Sequence, residues 1–163
     1  MINIELEKPV MEHEEGINHL LIQVHIPERK EIMIDIELPE GMYRETNLNG
    51  YYEDYNNLIY LYGERDVISL AIELYTENPI DVGEKIIKIS CKPSDNQFVE
   101  YKIPIKITDS YLDDYEINEQ VTNKIKELCS IKTNNNEFTS YKPITYSHRS
   151  TVSSLERKYR IDY

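Results

Sequence analysis

The chain has no tryptophan, a single alanine, five glycines and two cysteines in 163 residues. Each shortage excludes something. With one alanine the chain is a poor candidate for a helical bundle, because the best helix former is almost absent. Two cysteines, Cys91 and Cys129, make no disulfide framework. Neither has a second Cys or His at metal-ligand spacing, so no zinc site is expected and no cofactor is assigned. No stretch approaches the roughly 18 apolar residues of a membrane span. The opening Met1-Ile-Asn-Ile-Glu-Leu-Glu alternates at once, without the basic region and apolar run of a signal peptide. That pattern predicts a cytoplasmic protein, or one incorporated into a particle assembled in the cytoplasm.

Catalytic signatures are missing too. There is no Gly-x-Ser-x-Gly elbow and no glycine-rich loop to cradle a phosphate. Acidic pairs such as Glu53-Asp54 and Asp113-Asp114 recur, but nothing in their spacing singles out a general acid and its base. His19 and His25 share one face of a predicted strand, and six residues of extended chain place them about 20 Å apart, too far to hold one metal. His13 lies in the acidic run Glu12-His13-Glu14-Glu15, either a solvated loop or a weak cation binder. The sequence predicts no enzyme and no catalytic residue.

What is abundant is Ile, Tyr, Glu and Asn. Isoleucine and tyrosine pack well on a pleated surface and favour strands. Alternation with period two runs through the first two thirds of the chain. Ile2, Ile4 and Leu6 share a face, as do Leu20, Ile22, Val24 and Ile26, with His19, Leu21, Gln23 and His25 opposite. Ile32 to Leu38 alternate and stop at Pro39-Glu-Gly41. Strands are also expected at Leu58–Tyr62, around Ile68 to Leu74, around Ile87 to Cys91, and from Val99 to Ile107. The Met42–Asn57 stretch reads as a loop carrying a short edge strand. Pro104 faces outward and predicts an edge strand or a bulge, since it cannot donate to a ladder. Seven strong strands with turns at this interval predict an immunoglobulin-like antiparallel β-sandwich over residues 1–108.

After Asp109 the period changes. Ile117, Val121, Ile125 and Leu128 form a helical stripe, with Ser110 placed to cap it and lysines late in the run. A helix is therefore expected within 109–130, starting near 112. Residues 131–163 are expected to be a polar, locally basic tail.

Charge divides the same way. The net charge is −12. Residues 1–110 hold 22 acidic and 10 basic side chains, whereas residues 139–163 hold five basic and two acidic. An acidic body repels phosphate backbones, so nucleic acid is not an expected partner of the sandwich.

The body resembles the bacterial immunoglobulin-like modules called DUF11-like. The resemblance rests on Glu31 to Gly41, EIMIDIELPEG, and on Leu70 to Ile89, where Asn78-Pro79 and Val82-Gly83-Glu84 link two strands. It implies a non-catalytic adhesive, spacer or polymer-building unit. The single copy and the long extension after the body depart from that pattern.

Tyrosine is the feature that points to a partner, with fourteen against two Phe. Tyr43, Tyr51, Tyr52, Tyr55, Tyr60 and Tyr62 are candidate contacts for a protein or a carbohydrate, because tyrosine offers a large face, few rotors and a polar tip. Filling edge positions in a Trp-free β protein is an equal reading of the same residues. In the tail, Tyr141, Ile144, Tyr146, Tyr159, Ile161 and Tyr163 lie in short alternating segments suited to adding a strand to a sheet edge. Ser153-x-x-Glu156 is a capping box and offers a short helix instead; disorder is the third reading. The expected function is a structural module that self-associates or joins a spore-coat, appendage or virion-like assembly. The alternative is a soluble binding module acting through the tyrosine-bearing loop.

Overall fold

The computed structural model describes residues 2–27, 29–63, 67–94, 97–110 and 116–138, with side chains as far as residue 130. Its strands are β1 (Ile2–Leu6), β2 (Val10–Glu12), β3 (Ile17–Val24), β4 (Glu31–Glu37) and β5 (Met42–Arg44). They continue with β6 (Ile59–Tyr62), β7 (Ile68–Thr76), β8 (Gly83–Pro93) and β9 (Val99–Thr108), and one helix follows, α1 (Glu119–Phe138). Two sheets face each other, ordered β1-β3-β7-β5 and β2-β9-β8-β4-β6. This is the expected immunoglobulin-like sandwich followed by a helix.

The alternating aliphatics explain the core. Leu20, Ile22, Leu70, Ile72 and Leu74 of one sheet meet Ile34, Ile59, Leu61, Ile87 and Ile89 of the other, all of them buried. Such burial is worth roughly 1.5–3 kcal/mol per side chain. Cys91 belongs to this core, and burial pushes its thiol up to about 11, disfavouring the thiolate.

Several details differ from the expectation. The strand β2, only three residues long, carries too little alternation to be seen in sequence, yet it pairs parallel to β9 and buries Met11. Helix α1 starts at Glu119 and reaches Phe138, later at both ends than expected. Its cap is Asn118, whose Oδ1 accepts the amides of Gln120 at 3.1 Å and Val121 at 3.4 Å, and not Ser110. Ile117 stays half exposed, so the buried stripe begins at Val121. Finally Leu21, placed outward by its period, is buried with Ala71 beneath Val121 and Ile125. The sheet has an apolar spot on its outer face because a helix lies on it. Pro104 makes no bulge: it pairs in register opposite Ile86, beyond the three residues of β9 that β2 covers.

The chain crosses between sheets after β1, and a buried side chain completes the crossing. Asn18 Oδ1 accepts the Lys8 amide at 3.1 Å and the His19 amide at 2.8 Å, while its Nδ2 donates to the Lys8 carbonyl at 2.8 Å. Thr76 does the same for the turn after β2, accepting the Gly16 amide and donating to the Glu12 carbonyl. At Gly63, on the β6 exit, a Cβ would overlap the Pro27 carbonyl oxygen, so only glycine fits.

Candidate functional site

The tyrosine-bearing connection between β5 and β6 passes from one sheet to the other. It is organised around a buried carboxylate. Glu53 Oε1 takes a hydrogen bond from the Arg44 guanidinium at 2.9 Å, and Oε2 takes two from Asn47, its backbone amide and its Nδ2, both at 2.7 Å. The Arg44 and Glu53 side chains are only 10% and 8% exposed. Asn47, itself buried, closes the loop by accepting the Tyr51 amide on Oδ1 and donating to the Tyr51 carbonyl. Arg44 also donates to the carbonyls of Asn57 and Glu45. A second acid, Asp54, turns the chain by accepting the amides of Asn56 and Leu58. Tyr60 donates its phenol to Asp54 at 3.0 Å, and that bond holds the Tyr60 phenol above its usual range.

The candidate tyrosines do not form one cluster. Tyr60 and Tyr62 stand on the outer face of β6, with Ile59 and Leu61 turned inward. Tyr52 leans on Tyr60, ring centroids 5.5 Å apart, and Tyr55 at the turn is 94% exposed. Tyr43 lies in the other sheet and packs on Tyr75 at 5.7 Å. Tyr51 packs half-buried against the core and presents little surface. The structure thus brings together Tyr52, Tyr60 and Tyr62, with Tyr55 nearby. The tail candidates Tyr141, Ile144, Tyr146, Tyr159, Ile161 and Tyr163 lie outside the described residues.

Sequence reasoning missed a second cluster. His19 lies between two carboxylates, with Nδ1 donating to Glu7 at 3.1 Å and Nε2 3.5 Å from Glu73. Glu7 also accepts the Thr122 hydroxyl at 2.8 Å, and its carbonyl accepts the Asn118 amide, so this cluster fastens the start of α1 to the sheet. Burial by itself would push the His19 imidazole down, but its bonds to Glu7 and Glu73 outweigh that and raise it to about 9. Glu7 is held below its ordinary value, mainly by the His19 bond, against the opposing pull of burial. No local motif marks this cluster. Only the strand pairing, which sets His19 opposite Glu73 and bonds Glu7 to it, brings the three together.

The raised His19 value has a consequence for pH. A group whose folded pKa exceeds its unfolded one stabilises fully below the unfolded value, near 6.5, and loses that contribution as pH rises through about 9. Urea unfolding is therefore expected to show a loss on the order of 1–3 kcal/mol between pH 6.5 and 9.5. In His19→Gln that slope should flatten. A slope that persists in the variant assigns it to other groups.

Chemically both arrangements act within the chain, one clamping a loop and the other fastening the helix to the sheet. Among the described residues no three His, Cys, Asp or Glu side chains are grouped to hold a metal ion. No helix among them is long and apolar enough to cross a membrane.

No family model matches this chain, and no curated protein sequence matches it. Among solved structures it is similar to the periplasmic chaperone SfaE, at 13% identity, covering 69% of this chain and 59% of that one with a TM-score of 0.41. It is also similar to the E. coli chaperone DraB, at 13% identity, 64% and 54% coverage and TM-score 0.38. A third is WR4, a C. elegans MSP family member, at 11% identity, 66% and 97% coverage and TM-score 0.36. The chain spans about three fifths of the SfaE structure. Function is a property of sites and not of folds, so it has to be read from this chain's own surfaces.

Proposed function

We propose that this chain is a non-catalytic structural module that self-associates, or joins a larger spore-coat, appendage or virion-like assembly built in the cytoplasm. The observation that carries this reading is the division of charge between an acidic body and a basic, tyrosine-bearing segment from Thr139 onward. Opposite charges on two parts of one chain favour contact between copies and steer it. The polar side chains of the interior support the reading, because they are spent on architecture. Glu53 holds a loop, Asn18 a crossover, and His19 a helix. The resemblance to DUF11-like spacer and polymer-building modules points the same way.

The test is sedimentation of the full chain and of a variant ending at Phe138. The full chain should associate in a concentration-dependent way and the shortened one should run as a monomer. Monomers in both cases would sink the proposal.

The neighbouring Tyr52, Tyr60 and Tyr62 favour a second reading, a soluble module binding a carbohydrate or protein on the outer face of β6. Tyr52 and Tyr62 are exposed, and Tyr52 leans on Tyr60 with its ring tilted by 45°. Exposed aromatic faces of this kind suit the apolar face of a sugar. Electrophoresis through gels containing soluble polysaccharides should then show retardation, lost in a Tyr52→Ala, Tyr55→Ala, Tyr62→Ala variant that keeps its circular dichroism spectrum. Tyr51 is left intact in this design because its ring supports the core.

A further inference from the structure

One side of the sandwich is unfinished. The strand β1 ends its sheet, and beside it in the other sheet β9 is covered by β2 only from Lys106 to Thr108. Among the described residues, β9 therefore has no neighbour on that side between Val99 and Ile105. The two strands flank a seam into the core, and the apolar side chains along it are only partly buried: Ile2, Ile4 and Leu6 from β1, Tyr101 and Ile103 from β9. Their counterparts one strand further in, Leu20 and Ile22, are completely buried. Phe98 and Val99 stand exposed at one end of the seam. Two clefts open along it. One, of about 300 Å³, is lined by Ile2, Val24, Cys91, Val99 and Tyr101 among others. The other, of about 410 Å³, runs past Leu6, Pro9, Pro104 and Ile117.

The two edges are not equivalent. In an antiparallel ladder alternate residues bond the neighbouring strand, and the others point away from it. The Glu7 amide donates to the His19 carbonyl at 2.8 Å, so Glu5 and Asn3 share that direction. The amides and carbonyls of Ile2, Ile4 and Leu6 consequently face the open side. On β9 the Lys106 amide bonds Pro9 in β2, so the even-numbered residues face outward, and one of them, Pro104, has no N–H to offer. The β1 edge is complete and the β9 edge is interrupted. A strand added here would pair with β1 and lay alternate side chains over the half-buried row.

Charge indicates which strand. Glu5, Glu7 and Glu116 line the second cleft. One Glu5 carboxylate oxygen is buried without a hydrogen-bond partner, and a buried anion in that state gains from a cation. Added as an extended strand, the segment Arg157-Lys-Tyr-Arg-Ile-Asp-Tyr163 would carry Tyr159, Ile161 and Tyr163 on one face by its alternation and bring three cations with them. It belongs to the 25 residues beyond Phe138. Those residues can span at most about 80 Å, enough to reach a neighbouring molecule. The start of α1 lies at the seam, beside Glu7, and its buried stripe leads away over β3 and β7. The helix thus carries the chain away from its own β1.

We infer that the β1 edge, with the acidic cleft at its Leu6 end, receives residues 159–163 of a second copy as an added antiparallel or parallel strand. This rests on reading the tail as an assembly element and names the surface it meets. Every contact that stabilises the body is retained, and the half-buried row becomes covered.

Three full-length proteins test it: the natural sequence, Ile4→Pro, which removes an outward amide from β1, and Ile161→Asp, which puts a charge on the inserted face. Sedimentation of the natural chain should give a mass at least twice that of one chain. The amides of Ile2, Ile4 and Leu6 should exchange at least about tenfold more slowly at high than at low protein concentration. Both effects should vanish in Ile161→Asp, whose body is untouched, and in Ile4→Pro. Association that survives both substitutions overturns the inference and leaves the assembly reading standing. Slow β1 amides in a protein that stays monomeric show the tail folding back on its own body, and also overturn it. A natural chain that is monomeric with fast β1 amides removes the inference and the assembly reading together.

Discussion

Replacing Glu53 by alanine is expected to lower stability by about 3–5 kcal/mol, a fall of on the order of 10–20 °C in melting temperature. The cost comes from what is left behind. Arg44 is 10% exposed and loses its anion at 2.9 Å, while the Asn47 amide and Nδ2 lose the acceptor they share. A buried cation without a counter-charge is one of the most expensive defects a fold can hold, whereas a surface pair is worth only about 0–1 kcal/mol. Glu53→Gln separates the two parts. It keeps one acceptor, for Asn47, but removes the charge and puts an NH2 in place of the oxygen that Arg44 bonds, so it should fall between the natural chain and alanine. Thermal melts followed by circular dichroism give the ranking. A Glu53→Ala loss below about 1 kcal/mol would mean that water already solvates the pair. The same variant should also loosen Tyr52 and Tyr55, because the segment bearing them is held in place through Asn47 and Tyr51.

Asn18→Ala should cost about 2–4 kcal/mol in urea unfolding, although it deletes only a short side chain. Asn18 is completely buried, and three backbone groups depend on it: the Lys8 amide and carbonyl and the His19 amide. At Lys8 the chain is leaving one sheet for the other, so no ladder is available to replace those bonds. An orphaned buried amide or carbonyl costs roughly 1–3 kcal/mol. The damage should be local. Amide exchange in β1 and β2 should accelerate more than in β7 or β8. Uniform acceleration would indicate that Asn18 acts on global stability and not on the crossover. Asn18→Asp keeps the acceptor but loses the donor to Lys8, so it should not rescue the variant.

The strands were legible in the sequence because a sheet with one buried face writes itself as alternation. Ile32, Ile34 and Ile36, and likewise Leu70, Ile72 and Leu74, are inward in the structure as their period requires. The candidate tyrosines were legible as residues but not as a surface. Period and composition cannot show that Tyr51 turns into the core, that Tyr43 belongs to the other sheet, or that Tyr52 rests on Tyr60. Helix α1 was legible as a stripe, but its boundaries were not. An N-terminus is set by whichever residue first has both a cap and something to bury against, and here that is Asn118 followed by Val121 on Leu21.

The sequence by itself determined the class of fold, the division of charge and the presence of a helix after the last strand. These follow from local periodicity and composition, which need no knowledge of neighbours. Tertiary structure alone decided the rest. It paired His19 with Glu7 and Glu73, gave Leu21 a helix to hide under, and turned a polar loop into a clamp around Glu53. It also left β1, among the described residues, with an open edge beside a β9 that β2 covers over only three residues. Each of these depends on strand order and pairing between residues far apart in the chain. No local pattern encodes that information, because the same alternation serves an edge strand and a central one alike.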